Sequence, residues 1–120
     1  MIYHITTQSA WNTAQTQGVY SADSLANEGF IHCSSRQQII PVANAFYRDV
    51  DDLILLCIEE DKLTSPLKWE APAHPNPNTP IEDQDLFPHI YGTINPDAVI
   101  QVVPLLRKAN GDYALSPNTP

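Results

Sequence analysis

The sequence predicts an α+β domain of short strands and short helices, and three observations carry that prediction. Leu53-Ile54-Leu55-Leu56-Cys57-Ile58 is an unbroken apolar run of strand length, the pattern of a central strand buried on both faces. Residues 2–6 and 30–34 instead alternate in character, as half-buried strands do. The helical stretches near them are short, and each is stopped by a glycine, Gly18 or Gly29. At 120 residues, one domain spanning 1–120 is expected.

Taken in order, the first strand carries Ile2, His4 and Thr6 on one face and Tyr3 and Ile5 on the other. Ser9 is placed to cap a helix running to Gln17, with Trp11 and Ala14 toward the core. Asp23 is placed to cap a second helix that ends at Gly29. On the next strand Phe30, His32 and Ser34 share a face, which presents a histidine between an aromatic and a hydroxyl as the floor of a pocket. Ser34 or Ser35 caps a third helical stretch reaching Tyr47-Arg48, kinked or started afresh at Pro41.

After the central strand come a helical turn through Leu63 and a strand over Leu67–Glu70. Residues 71–85 are rich in Pro and Asn, a loop long for a compact domain and read as a lid or a surface excursion. Phe87-Pro88-His89-Ile90-Tyr91-Gly92 leads into Thr93-Ile94 as another strand, one beginning at a Pro, and Asn95-Pro96-Asp97 turns the chain. Residues 99–103 and 105–106 are strand, Asn110-Gly111 closes a hairpin onto Tyr113–Leu115, and the Pro-Asn-Thr-Pro end is expected to fray.

Charge removes several classes of partner. Six Lys and Arg against fourteen Asp and Glu give a net charge of -8, and the cations are scattered singly or in pairs. Extended nucleic acid is therefore not expected, whereas one mononucleotide-sized anion needs only one or two cations. No apolar run reaches the length of a membrane span, and the start Met1-Ile2-Tyr3-His4 lacks the pattern of a secretory signal. The two cysteines, Cys33 and Cys57, sit in apolar runs as small buried hydrophobes, so a reduced cytoplasmic setting is expected.

His4, His32 and His89 stand in or at the start of strand-like segments, where a polar residue needs a reason, and Glu70 and Tyr91 stand in similar places. His74 lies in the proline loop and is read as solvent-exposed and idle. The ligand types suit a transition metal, but no H-x-x-x-H or C-x-x-C spacing is present, and no metal site is assigned. Neighbouring Cys33 and His32 face opposite ways, and no nucleophile elbow surrounds Ser34, which argues against a nucleophile pair. A small-ligand pocket remains, in which the histidines and Tyr91 bond and stack on an aromatic, hydroxyl-rich molecule such as a nucleotide.

The blocks Tyr3-His4-Ile5-Thr6, Glu28-Gly29-Phe30-Ile31-His32-Cys33-Ser34, Ala43-Asn44-Ala45-Phe46-Tyr47, Leu53-Ile54-Leu55-Leu56, Lys68-Trp69-Glu70 and Phe87-Pro88-His89-Ile90-Tyr91-Gly92 occur in this order. Together they resemble the small bacterial family catalogued as domain of unknown function nine hundred and fifty-two. The resemblance implies an ADP-ribosyltransferase-like fold, a split antiparallel β-sheet clasping NAD in a central cleft, nearest the RNA 2'-phosphotransferase branch. Carried over by motif, His4 would hold a ribose hydroxyl, and His32 and Ser34 would form the second-strand H-x-S. The chain departs from that pattern where Ile5 follows His4 in place of a glycine, and where only Arg36 and Arg48 stand for several arginines. Phe87-Pro88-His89-Ile90-Tyr91 is also not the transferase's catalytic glutamate motif.

Two functional readings follow, and the sequence leaves both open. In the first, a cleft binds NAD or an ADP-ribose-like nucleotide, with His32, Glu70 and His89 as catalytic candidates and His4, Ser34 and Tyr91 as ligand contacts. Its chemistry is transfer or hydrolysis at the ribose carbon, whose oxocarbenium character an apposed carboxylate stabilises. In the second, the chain is a non-enzymatic ligand-sensing or protein-interaction module, and its histidines are structural.

Overall fold

The computed structural model describes residues 1–73 and 86–120. His74 and all but the first three residues of the 71–85 loop lie outside the described residues. Strands β1 (Ile2–Thr7), β3 (Leu53–Ile58), β6 (Val99–Arg107) and β7 (Tyr113–Leu115) form a four-stranded antiparallel sheet with neighbours in the order β1-β3-β6-β7. Strands β2 (Ile31–His32), β5 (Phe87–Ile90) and β4 (Leu67–Glu70) form a smaller antiparallel sheet in the order β2-β5-β4. Helices α1 (Gln8–Gln17), α2 (Asp23–Glu28) and α3 (Ile39–Phe46) complete the α+β architecture. No helix among the described residues is long and apolar enough to cross a membrane.

The apolar run of β3 does what its composition requires: all six residues are buried, between two cores. Ile54, Leu56 and Ile58 pack with Ile2, Trp11, Tyr20, Ile31 and Ile90 on one side. Leu53, Leu55 and Cys57 pack with Tyr3, Ile5, Ile39, Ala43 and Tyr113 on the other. Each fully buried Leu or Ile contributes roughly 1.5–3 kcal/mol of transfer free energy, so β3 is the keel of the fold.

Several local expectations are corrected. Thr7, not Ser9, caps α1: its Oγ1 accepts the Ala10 N–H at 3.1 Å, and Ser9 is already inside the helix. Asp23 is in the first turn of α2, where it favours the helix dipole, while Ala22 holds the cap position. Ser35, of the two serines, makes a capping box with Gln38 over a 3-10 turn. The following helix starts afresh with Pro41 in its first turn and stops at Phe46. Strand β2 is two residues long, because Ser34 has already turned to bridge Tyr3. Thr93-Ile94 is no strand; Ile94 forms an isolated bridge to Tyr20. Nor does the C-terminal segment fray: Thr119 is buried, and the Pro120 carbonyl accepts from the Tyr3 hydroxyl and Arg36 Nε.

The two sheets touch where Tyr3 and Ser34 exchange a pair of backbone hydrogen bonds of 2.9 and 2.7 Å. An antiparallel ladder continuing from that pair would next join Ile5 to His32. It does not continue. The strands part, and the gap is the feature around which the polar residues are arranged.

Candidate functional site

His4 stands at the parting. Its Nδ1–H donates to the His32 carbonyl at 2.6 Å, supplying the bond that the interrupted ladder would have given that oxygen. Its Nε2 lies 2.7 Å from the Tyr20 hydroxyl, which lies 2.9 Å from Thr6 Oγ1. Burial pulls the pKa of His4 down to about 4, against the carbonyl bond that favours the charged form. The ring is therefore neutral near pH 7, and Nε2 must accept the one proton Tyr20 has to give. Thr6 then turns its own hydroxyl hydrogen toward the Tyr20 oxygen. Burial pushes Tyr20 up to about 12, so it keeps that proton.

The second arrangement is on the smaller sheet. Register aligns His32, His89 and Lys68 in one row across β2, β5 and β4, and alternation adds Phe30, Glu70 and Tyr91 to the same face. Ile31 and Ile90 point the other way, into the core. The Phe30 ring stacks on His89 at 4.2 Å and 19°, and the His32 ring meets His89 edge-on at 5.6 Å. His89 is consequently buried.

Glu70 is where this row becomes polar. His89 Nδ1–H donates to Glu70 Oε1 at 2.9 Å, and the Tyr91 hydroxyl donates to the same oxygen at 2.5 Å. The Tyr91 bond, then the His89 bond, hold the Glu70 carboxyl below the ordinary carboxylate range, so it is ionised at neutral pH. The same contact raises Tyr91. The Glu70 side chain keeps 37% of its surface in water, while Lys68 Nζ lies 4.9 Å from the Tyr91 ring centre. His32 Nε2 lies 2.9 Å from Glu28 Oε2, so a second histidine–glutamate pair flanks the first.

Beside the β1 edge that β2 has left lies a cleft of about 410 Å³, lined among others by His4, Tyr20, Ser24, His32, Tyr47 and Leu53. Ile5 lines it too. The Tyr3 backbone bonds point to Ser34, so two residues on the N–H and C=O of Ile5 point the same way, into the gap. The Ile5 side chain is turned into the core beside Leu55.

Of the residues singled out in the sequence, His32, Glu70, His89 and Tyr91 meet on one face. His4 is apart from them behind the His32 backbone, with both ring nitrogens occupied. Ser34 is buried and serves the bridge to Tyr3 through its backbone. Sequence reasoning missed Glu28, for which the four-residue spacing to His32 was a usable signal, and Tyr20, for which the local pattern held none. Among the described residues no group of three His, Cys, Asp or Glu side chains is placed to hold a metal ion.

Fold and site thus define a small α+β domain with two antiparallel sheets and a polar row beside their parting. The chain belongs to the family described as Protein of unknown function (DUF952), whose model matches residues 5–102. The crystal structure of protein CC0527 from Caulobacter crescentus is similar, with 32% identity and a TM-score of 0.76 over 94% of this chain and 92% of that one. The solution structure of CC0527 gives 29% identity and a TM-score of 0.73, covering 92% of this chain and 89% of that one. No curated protein matches the chain.

Proposed function

We propose that the chain binds NAD or an ADP-ribose-like nucleotide at the parting of β1 and β2, with the ribose toward His32. The observation that carries this reading is the open edge of β1: Ile5 turns a backbone donor and acceptor into a cleft of about 410 Å³, a volume suited to a small ligand. Such a pair complements a carboxamide or the edge of a base. The Ile5 side chain lies in the core, so its bulk, where a glycine is usual in the fold the sequence resembles, does not obstruct the edge. That resemblance, to the ADP-ribosyltransferases and their RNA 2'-phosphotransferase branch, supports the same placement.

Glu70 is the group we assign to chemistry; it is not among the cleft's described lining residues and is joined to them through His32, which lines the cleft and meets His89 edge-on. It is ionised, with one oxygen anchored by two donors, and can stabilise positive charge at a ribose carbon without reorganising. His89, buried beneath Phe30, is a positioning residue for Glu70, and Tyr91 shares that role. His32, with 34% of its side chain in water, is the candidate acid or base. The free, buried thiols of Cys33 and Cys57 favour a reducing cytoplasm as the setting.

Calorimetry with NAD, ADP-ribose and nicotinamide tests the reading; silence from all three at millimolar ligand removes it. If the chain turns NAD over, Glu70→Gln is expected to slow nicotinamide release by roughly 100-fold or more. One observation favours the second reading, a non-enzymatic sensor: His4, assigned by resemblance to a ribose hydroxyl, has both nitrogens engaged within the protein. Binding without turnover, indifferent to Glu70→Gln, is the signature of that module.

A further inference from the structure

We infer that the cleft beside β1 recognises a phosphate-free nucleoside, neutral or positively charged, and discriminates against its phosphorylated forms. This rests on the cleft and on the base and ribose contacts of the reading above, and replaces its phosphorylated ligands, NAD and ADP-ribose, with the nucleoside alone. The lining supplies rings and aliphatic surface for a base (Tyr20, Tyr47, Val50, Leu53) and the hydroxyls of Ser21 and Ser24 for a ribose. Among the described residues no lysine or arginine lines it.

None of the chain's six lysines and arginines is among the described lining residues. Arg36 bonds the Pro120 carbonyl, Arg48 pairs with Asp112, and Arg107 holds the carbonyls of Arg48 and Val50. Lys68 lies over Tyr91, Lys62 ends the 3-10 turn Glu60–Lys62, and Lys108 follows β6. Residues 74–85 contain no Lys or Arg.

Among the described lining residues the acidic one is Asp23; His4 brings no positive charge near neutral pH, and the other imidazole, that of His32, is paired with Glu28. A pyrophosphate is ordinarily held by cations in bidentate or point contact, or by the donors of a helix start. Here the first turn of α2 carries Asp23 itself, which sets a negative charge where a phosphate would need a positive one. One like charge at about 4 Å lowers affinity on the order of fivefold even in bulk water, and further inside a cleft. A cationic pyridinium riboside gains by the same sign.

The test is an NMR titration at low ionic strength, comparing adenosine and nicotinamide riboside with NAD and ADP-ribose. It follows the amides of Thr7, Ser21 and Ser24 on wild type and Asp23→Asn. The nucleosides are expected to bind at least fivefold more tightly than the phosphorylated ligands. Asp23→Asn is expected to improve the phosphorylated ligands about fivefold, with adenosine unchanged. Tighter binding of NAD or ADP-ribose at these amides, or no gain in Asp23→Asn, overturns the inference and leaves the nucleotide reading standing. Shifts confined to β2, β4 and β5 overturn the choice of cleft. No shift from any compound ends both.

Discussion

Two histidine stations lie on either side of β2, one on β1 and one on β5, and they use imidazole in opposite ways. His4 is sealed: neutral, bonded at both nitrogens, and standing in for a missing ladder bond between two strands. His89 is also buried, but its Nδ1–H is aimed at a carboxylate that keeps contact with water. The first arrangement fixes where β2 leaves β1; the second fixes where a charge is presented. The comparison teaches that burial of a histidine alone does not identify a working group. What decides is whether its partner is a closed set of groups or one open to a ligand.

The largest expected effect separates the two stations by stability. His4→Ala leaves a cavity, strands the His32 carbonyl and leaves Tyr20 with Thr6 alone, at a cost of about 3–4 kcal/mol. His89→Phe keeps the ring volume and the stack on Phe30, and Glu70 turns to water, so about 1 kcal/mol is expected. Urea midpoints at unchanged m-value measure both, and equal losses would erase the distinction.

Acid separates the stations next. His4 titrates near 4 in the folded protein and 6.5 when unfolded, so the unfolded chain binds more protons between these values. Stability contributed by keeping His4 neutral is complete above pH 6.5 and falls by about 3 kcal/mol as the pH drops to 4. Glu70 is depressed below its ordinary 4.5, so its contribution is present above that value and is lost only at lower pH. His4→Ala is expected to flatten the upper limb of the stability profile while Glu70→Gln leaves that limb intact. A slope between pH 6.5 and 4 that survives His4→Ala would locate the effect elsewhere.

The smallest effect sharpens the open station. Tyr91→Phe removes the stronger of two donors on Glu70 Oε1, so the Glu70 midpoint, read from its side-chain carbon shift, is expected to move upward. Stability should change little, because the contact is open to water. An unmoved midpoint would mean that His89 alone sets the Glu70 charge.

The sequence made one layer of this legible and hid another. The unbroken apolar run of β3 can only be a strand buried on both faces, and alternation on β2 correctly grouped Phe30 with His32. The meeting of His32 with Glu70, His89 and Tyr91 depended on the register of three strands far apart in the chain, which no local pattern encodes. His4 was read as one of that group because a strand histidine looks alike from sequence whether its partner is Tyr20 or a ligand. The choice of Thr7 over Ser9 as cap turned on a shift of two residues between equally suitable hydroxyls.

The clasp between Tyr3 and Ser34 predicts two opening lifetimes for the molecule rather than one. Opening of β2, β5 and β4 as a separate foldon takes the loss of these two amide bonds, of the His4–His32 bond and of the Ile31 and Ile90 packing, while the sheet around the keel stays paired. In native-state hydrogen exchange the Ser34 and Cys33 amides should then open at a lower free energy than those of Leu55 and Leu56. A guest arriving at the cleft would find its doorway widened by thermal motion of one wall, with the opposite wall held still.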